Sequence, residues 1–309
     1  MEDKRNITED RSVKGSGDRR YQVVIVLILT ILAVCAILPF LLLVSSSLTE
    51  NKTLLRDGYS FLPRDFTLHA YEYLFKSNGA RVFKAYGITF LITFIGTSLS
   101  LLIGPMLAWP LSRTDYKRGK VLTFMVLFTM LFNGGIVPSY IMWTQIFHVK
   151  NTIFGLLLPG LLMNGFYIIL YRNNFRSNIH PSLVEAAKID GAGEAYIYFR
   201  IVLPLSLPIL ATIGLMVGLG YWNDWTNGLY YISNTGMYSL QQFLKSIIDN
   251  INSLSQLAAS ADVAAAVAKM PGTSIRMAIA VIGIIPVMLL YPFFQKAFIA
   301  GIALGGVKE

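Results

Sequence analysis

Long apolar runs alternate with short polar segments along the chain, and this pattern predicts membrane spans. Six runs are each long enough to cross about 30 Å of hydrocarbon as a helix. The predicted spans cover about 21–44, 83–111, 121–147, 153–171, 205–232 and 274–298. We therefore expect an all-α integral membrane protein with six transmembrane helices.

The polar segments divide the chain and predict its orientation. The predicted parts are a cytoplasmic tail (1–20), the first helix with an outer loop (21–80), and a core (81–309) that holds a central loop (about 172–204), a second outer loop (about 233–272) and a C-terminal cytoplasmic tail. Clusters of Lys and Arg in the first tail, in 113–120 and in the central loop place these segments inside the cell. Six spans then put both termini in the cytoplasm. The first run exceeds the apolar core of roughly 7–15 residues in a cleavable signal peptide, so we expect a retained anchor in the cytoplasmic membrane.

The composition supports a bilayer rather than a soluble or nucleic-acid-binding protein. Hydrophobic residues make up 54% of the chain and charged residues 14%, against roughly 25% charged in soluble domains. The net charge of +9 could suggest nucleic acid, but the cations cluster beside apolar spans. No phosphate-binding Gly-x4-Gly-Lys-Ser/Thr loop is present, and His69, His148 and His180 lack metal-ligand spacing. We expect no enzyme activity, metal or cofactor in this chain.

The central loop is a polar segment between two apolar runs, and its sequence predicts a helix, a tight turn and a second helix. Ser182 and Glu185 have capping-box spacing at the start of the first helix. Gly191 suits a left-handed stop, which glycine adopts without strain. The second helix is predicted from Gly193 to Val202, with Pro204 preventing its continuation.

This loop resembles the cytoplasmic loop of ABC-importer permeases, whose pattern is Glu-Ala-Ala, three residues, Gly, nine residues, Ile-x-Leu-Pro. The matching residues are Glu185, Ala186, Ala187, Gly191, Ile201, Leu203 and Pro204, and Asp190 lies among them. The alternative is an ordinary amphipathic hairpin. The resemblance implies a type I ABC importer transmembrane domain, in which this segment is the coupling helix that docks into a cleft on a separate ATPase subunit. Glu185 would pair with a basic group of the ATPase, and ATP and Mg would be bound by that partner.

Two further stretches resemble carbohydrate permeases. Residues 294–309 are similar to the C-terminus of the second permease of maltose-type sugar importers, and residues 132–138 resemble an oligosaccharide and complex-glycan subgroup. The resemblance implies a permease for oligosaccharides that forms a heterodimer with a homologous second permease, within membrane lipid. It also implies an ATPase subunit dimer, contacted by the C-terminal tail, and an extracytoplasmic sugar-binding protein, contacted by residues 233–272.

The outer part of the fifth span contains Trp222, Asn223, Asp224 and Trp225, which we interpret in two ways. They could form a sugar path, with aromatic faces stacking on the sugar while Asn223 and Asp224 bond hydroxyls. Alternatively they belong to an interfacial aromatic belt with Tyr230 and Tyr231. Asp224 is the acid inside a predicted span, where an ionisable group suggests function.

Other segments carry secondary expectations. Leu240, Phe243, Leu244, Ile247 and Ile248 follow a helical spacing in the outer loop, which predicts a helix on the membrane surface or against a partner. Gly214 and Gly218 give the fifth span a smooth face, either for packing within the subunit or for sliding during transport.

Three alternative functions stay open at this point. An ion-driven secondary transporter would need paired intramembrane acids or discontinuous helices, and Asp224 stands alone. A membrane enzyme would need a nucleophile–base or metal constellation. Within the importer family, a peptide or amino-acid permease is the nearest rival.

Overall fold

Helices form the frame of the protein, because in lipid every backbone polar group must be satisfied within the segment. The computed structural model describes residues 16–256 and 272–306, with side chains described over 21–289 within those ranges except at positions 77, 254 and 255. Residues 1–15 of the predicted tail, residues 257–271 of the outer loop and the last residues (307–309) lie outside the described residues.

The helices follow one another through short connections. The first half contains α1 (Ser16–Ser47), α2 (Asn51–Asp57), α3 (His69–Ser112), α4 (Gly119–Leu131), α5 (Ile136–Ile141) with a π-helical turn (Met142–Ile146), α6 (Phe154–Leu157) and α7 (Gly165–Asn178). The second half contains α8 (Pro181–Ile189), α9 (Glu194–Ile197) with a π-helical turn (Tyr198–Val202), α10 (Leu203–Leu205), α11 (Leu207–Trp222), α12 (Thr226–Tyr231), a 3-10 turn (Thr235–Met237), α13 (Leu240–Gln256) and α14 (Gly272–Gly306).

Three described helices are long and apolar enough to cross a membrane, namely the segments Tyr21–Ser47, Asn78–Ser112 and Gly272–Leu289. Two further candidates are bent: Gly119–Leu131 meets Ile136–Ile146 at 113°, and Glu194–Leu205 meets Leu207–Trp222 at 78°. The described residues therefore give up to five spans by this measure, against the six predicted.

The predicted third, fourth and fifth spans are wrong as continuous helices. The fifth breaks at residues 223–225, between α11 and α12. The third breaks at residues 132–135, where Gly135 has a φ of +85° and donates its N–H to Asn133 Oδ1 at 2.9 Å. The fourth breaks after α6, where Pro159 precedes Gly160 with a φ of +71°. The breaks at Gly135 and Gly160 follow from local turn chemistry, since each glycine has a positive φ that residues with a side chain rarely adopt. The apolar content of these runs hid the turns within them.

The longest described helix, α3, is the centre of the packing, with α7, α11 and α14 against it. Gly96 on α3 lies so close to Tyr221 on α11 that an added Cβ would be 2.3 Å from its ring. Tyr221 in turn donates its hydroxyl to the carbonyl of Leu157 at 2.7 Å. The face of α11 that carries Gly214 packs on Leu101 of α3, which supports the interpretation of this glycine face as a packing surface.

The outer loop contains α13, which confirms the predicted amphipathic helix. Leu240, Phe243 and Leu244 are buried in a cluster with residues of α3 and α14, and the Leu240 N–H donates to Thr89 Oγ1 at 2.7 Å. The apolar face of α13 therefore packs within its own chain. The expectation that these three residues lie on the membrane surface or against a partner is wrong.

Candidate functional site: the central loop and the outer cavity

The first helix of the central loop, α8, begins at Pro181 with His180 as its N-cap. The His180 ring accepts from the Ser182 N–H at 3.4 Å, and its Nδ1 lies 2.8 Å from Ser182 Oγ. The predicted capping box between Ser182 and Glu185 is therefore wrong. Proline is preorganised for the first helical position, so Pro181 moves the cap back to residue 180.

The end of α8 forms a Schellman motif around Gly191. The Ala192 N–H donates to the Ala187 carbonyl at 2.9 Å, and the Gly191 N–H donates to the Lys188 carbonyl at 3.0 Å. Gly191 has a φ of +82°, which confirms the predicted left-handed stop. The turn therefore has a defined geometry, which sets the direction of the segment that follows Asp190.

The second helix continues past Leu203 and Pro204, so the predicted end there is wrong. The π-helical turn at Tyr198–Val202 leads directly into α10, and the break follows at Ser206. A π-helical turn is a common site of helix irregularity, and here it precedes the proline without stopping the helix. Pro208 in the first turn of α11 marks the new start, and the chain bends there by 78°.

The central loop has a buried face and an exposed face. Val184, Ile197, Tyr198 and Val202 are buried in the main core. Ile189 lies on the other side with 86% of its surface exposed. Of the other predicted coupling residues, Glu185, Ala186, Asp190, Gly191 and Pro204 are exposed, while Ala187, Ile201 and Leu203 are half-buried. The loop is thus anchored inward and presents a mixed polar and apolar surface outward.

An ion network ties this loop to the segment that follows α3. Arg113 Nη1 donates to Glu194 Oε2 at 2.6 Å, and Lys188 Nζ lies 3.0 Å from Glu194 Oε1. Arg113 Nε also donates to Asp115 Oδ1 at 2.8 Å. The Arg113 side chain is only 15% exposed, so the network is partly shielded from water. Sequence reasoning used Arg113 only as a marker of orientation and missed this role, because its partner lies 81 residues away.

Arg113 also sets the charge of its neighbour. The hydrogen bond from Arg113 holds the pKa of the Asp115 carboxyl below its usual range, with partial burial opposing the effect. The same hydrogen bond raises the pKa of the Arg113 guanidinium. Both groups are therefore charged over the physiological pH range.

Glu185 lies beside this network, in a cavity of about 170 Å³. Arg113, Arg176 and Lys188 line the same cavity. Within the described part of the chain, Glu185 forms no ion pair. The fold therefore brings the predicted coupling carboxylate close to three cations without pairing it.

At the far end of α11, the four residues of the predicted sugar path have different surroundings. Trp222 is 3% exposed, donates its Nε1–H to the Gly283 carbonyl at 3.2 Å and packs its ring edge-on against Phe90. Asp224 Oδ1 accepts from the N–H groups of Thr226 and Asn227 at 3.0 and 3.1 Å. Both residues thus have structural contacts in this structure, and a sugar contact for them stays a prediction.

Asn223 and Trp225 line a cavity of about 690 Å³. Residues of α1, α13 and α14 complete its wall, among them Phe40, Gln241, Lys245, Ile279 and Arg276. Trp225 is 39% exposed, and Lys245 Nζ lies 5.5 Å from the centroid of its ring. Lys245 and Arg276 were absent from the predicted site, since α13 and the start of α14 are far from Asn223 in the sequence.

The geometry of the central loop agrees with a family comparison. Residues 79–303 match the family described as the inner membrane component of binding-protein-dependent transport systems. The chain belongs to this family.

Curated relatives cover almost the whole chain. The polygalacturonan/rhamnogalacturonan transport system permease protein YtcP of Bacillus subtilis is 34% identical over 291 residues, which is 94% of this chain and 99% of the relative. The melibiose/raffinose/stachyose import permease protein MelC of the same organism is 27% identical over 291 residues, with 92% and 96% covered.

A solved structure shares the fold. A chain from the crystal structure of a bacterial ABC transporter involved in the import of the acidic polysaccharide alginate superposes with a TM-score of 0.73 at 30% identity. The match covers 92% of this chain and 98% of that one.

These matches confirm the predicted family, the all-α permease fold of type I ABC importers and the absence of a catalytic role for this subunit. The ion-driven transporter and the membrane enzyme are therefore wrong as alternatives. The permease is a multi-pass component of the inner membrane.

Proposed function

We propose that this permease imports oligosaccharides as part of an ATP-driven complex. The complex would contain a homologous second permease, an ATPase subunit dimer that binds ATP and Mg, and an extracytoplasmic sugar-binding protein. The observation that carries the proposal is the similarity to carbohydrate permeases over nearly the full chain, with YtcP as an example. The arabinooligosaccharide permease AraQ of Bacillus subtilis, 25% identical over 296 residues, supports the same class. These names favour carbohydrate over the peptide or amino-acid alternative.

The central loop supports a coupling role in that complex. Its exposed face, with Ile189 at the tip and Glu185 beside it, would dock into a cleft of an ATPase subunit. Because Glu185 has no ion-pair partner among the described residues, its carboxylate would be available to a basic group of the ATPase. Closure of the ATPase dimer would then displace α8.

Three connections would pass this displacement from the central loop to the membrane helices. The Schellman turn at Gly191 fixes the angle between α8 and α9, and the link from Glu194 to Arg113 joins α9 to the end of α3. A third path runs through the π-helical turn into α11. Because α3 and α11 pack against each other, motion at the loop would move both together.

The same arrangement supports the predicted orientation. If α8 faces the ATPase, the start of α11 is cytoplasmic. Since α11 is 16 residues long, its end at Trp222 lies about 24 Å away on the outer side. The cavity lined by Asn223 and Trp225 would then open toward the outside, and both termini would be cytoplasmic.

The test is reconstitution of the complete complex in proteoliposomes with its binding protein. Uptake and ATPase stimulation would be measured over a panel of neutral oligosaccharides, acidic oligosaccharides and short peptides. Stimulation and uptake by a carbohydrate class are expected. Activity with peptides alone would overturn the carbohydrate assignment, and a folded permease that assembles with no ATPase would overturn the coupling role.

A further inference from the structure

The cavity at the outer end of α11 combines cations, amides and an aromatic ring within mostly apolar walls. Lys245 and Arg276 bring positive charge, Asn223 and Gln241 bring amides, and Trp225 offers a ring. A volume of about 690 Å³ falls in the usual range of small-molecule sites. A neutral sugar could be bound by the amides and the aromatic ring alone. The two cations are therefore not needed for a neutral ligand.

Lys245 and Arg276 each keep a hydrogen-bond donor for which the described residues provide no acceptor. Lys245 Nζ contacts both carboxylate oxygens of Asp249, at 2.7 and 2.8 Å, which leaves one of its three donors. Arg276 Nη2 donates to Asn252 Oδ1 at 2.7 Å. For the buried Nε of Arg276, the described residues supply no acceptor. A buried guanidinium donor without an acceptor is costly, so a ligand with an acceptor group would gain from reaching it.

A carboxylate is the group that fits this arrangement. It accepts two parallel hydrogen bonds from a guanidinium, and charge-assisted bonds of this kind are about twice as strong as neutral ones. Since Asp249 offsets only one of the two cations, the cavity keeps an excess of positive charge. Trp225 provides a surface for a sugar ring beside that charge.

We propose that this cavity binds an acidic oligosaccharide, with a uronate carboxylate on Arg276 and Lys245 and a sugar ring against Trp225. This inference rests on the proposed carbohydrate function and narrows it to anionic substrates. It places the recognition of charge in this permease itself, in addition to any selection by the binding protein.

The test measures binding to the complete complex in phosphatidylcholine nanodiscs without the binding protein. The probes are trigalacturonate and its trimethyl ester, which lacks the three negative charges and carries three added methyl groups. Trigalacturonate is expected to bind, and its affinity is expected to fall as the salt concentration rises, because salt screens charge pairs. The ester is expected to bind at least about 10-fold more weakly, since it loses the charge-assisted bonds.

Matched variants assign the effect to the cavity. Arg276→Gln and Lys245→Gln are each expected to lower the affinity for trigalacturonate by about 10-fold and to leave the affinity for the ester unchanged. Arg276→Lys restores part of the affinity. Lys76→Gln is the control, since Lys76 is an exposed cation paired with Glu72 and is not among the residues that line the cavity. Size-exclusion elution and thermal unfolding of each assembled complex check that the variants fold.

Three results would overturn the inference. Equal binding of acid and ester would show that charge is not recognised, and equal losses in Lys76→Gln would show a non-specific surface effect. Displacement of trigalacturonate by phosphatidylglycerol in the nanodisc, with no discrimination between acid and ester, would assign the cations to lipid headgroups. Uptake in proteoliposomes separates this inference from the proposed function. Import of neutral oligosaccharides by a complex that binds acid and ester equally refutes the inference alone, and import of no carbohydrate refutes both.

Discussion

Arg113 and Glu194 are separated by 81 residues in the sequence, yet Arg113 Nη1 donates to Glu194 Oε2 at 2.6 Å. This bond joins the end of α3 to the helix that follows the Gly191 turn. Together with the buried side chains of Val184, Ile197 and Val202, it holds the central loop on the helix bundle. Lys188 strengthens the junction from α8, at 3.0 Å from Glu194 Oε1.

Breaking this bond should reduce coupling more than stability. Arg113→Gln and Glu194→Gln are each expected to lower substrate-stimulated ATPase activity several-fold in the reconstituted complex. The pair itself should contribute about 1 kcal/mol or less, because Glu194 is largely exposed. A double-mutant cycle of Arg113→Gln, Glu194→Gln and the double variant measures that contribution. Arg118→Gln, in the segment that follows α3, is the control. Equal stimulation in all variants would remove the network from the coupling path.

The network should resist mild acidification. Arg113 holds the pKa of Asp115 below its ordinary value of 3.8. A lowered pKa in the folded state contributes stability above the unfolded pKa, and this is lost only as the pH falls through the lower folded value. The ratio of ATPase stimulation between wild type and Asp115→Asn should therefore stay constant from about pH 7.5 to 5.5. A ratio that approaches 1 as the pH falls within this window would show that Asp115 becomes protonated there.

Gly191 should be sensitive to any side chain because of its backbone, not because of space. Its φ is +82°, and an added Cβ would have no atom within 4 Å. Gly191→Ala should cost about 1–2 kcal/mol in the stability of the turn and should lower assembly with the ATPase. Gly191→Asn should cost less, since Asn tolerates this conformation better than Ala. Gly191→Asp adds a negative charge next to Asp190 and is expected to uncouple or dissociate the complex. Gly193→Ala is the matched control, because Gly193 also has open space but a φ of −73°. Equal effects at both positions would refute the role of the left-handed turn.

Gly96→Ala tests the packing of α3 on α11. The new methyl would lie 2.3 Å from the Tyr221 ring, whose hydroxyl is already held by the Leu157 carbonyl. The ring cannot move without losing that bond, so the substitution should destabilise the permease by about 1–3 kcal/mol. Thermal unfolding in detergent measures the loss. Gly87→Ala on the same helix has open space and should have little effect. A stable Gly96→Ala variant would show that the helices separate more easily than this packing implies.

The two tryptophans near the end of α11 should behave differently. Trp222→Leu removes a buried ring and its bond to the Gly283 carbonyl, so stability should fall by about 2–4 kcal/mol. Trp225→Leu changes a half-exposed ring in the cavity, so stability should change little while uptake falls several-fold. Thermal unfolding and proteoliposome uptake of each variant separate the two effects. A loss of uptake with full stability in Trp222→Leu would assign Trp222 to the sugar path instead.

The sequence predicted much of the fold because membrane helices leave a strong local signal. Apolar length located α1, α3 and the start of α14, and the Gly191 stop follows from a conformation that glycine adopts without strain. The same signal failed in the third and fourth spans, where Gly135 and Gly160 interrupt apolar runs. Apolar composition shows that a segment is buried in lipid or protein, but it does not show that the helix is continuous.

By itself, the sequence determined the membrane character of the chain, the helix-turn-helix of its central loop and its resemblance to importer permeases. These are properties of local periodicity and of residues close together in the chain. Tertiary structure alone decided that Arg113 holds Glu194, that Trp222 is buried while Trp225 lines a cavity, and that Lys245 and Arg276 share that cavity. Such contacts join helices distant in sequence, and they depend on packing geometry that no local pattern encodes.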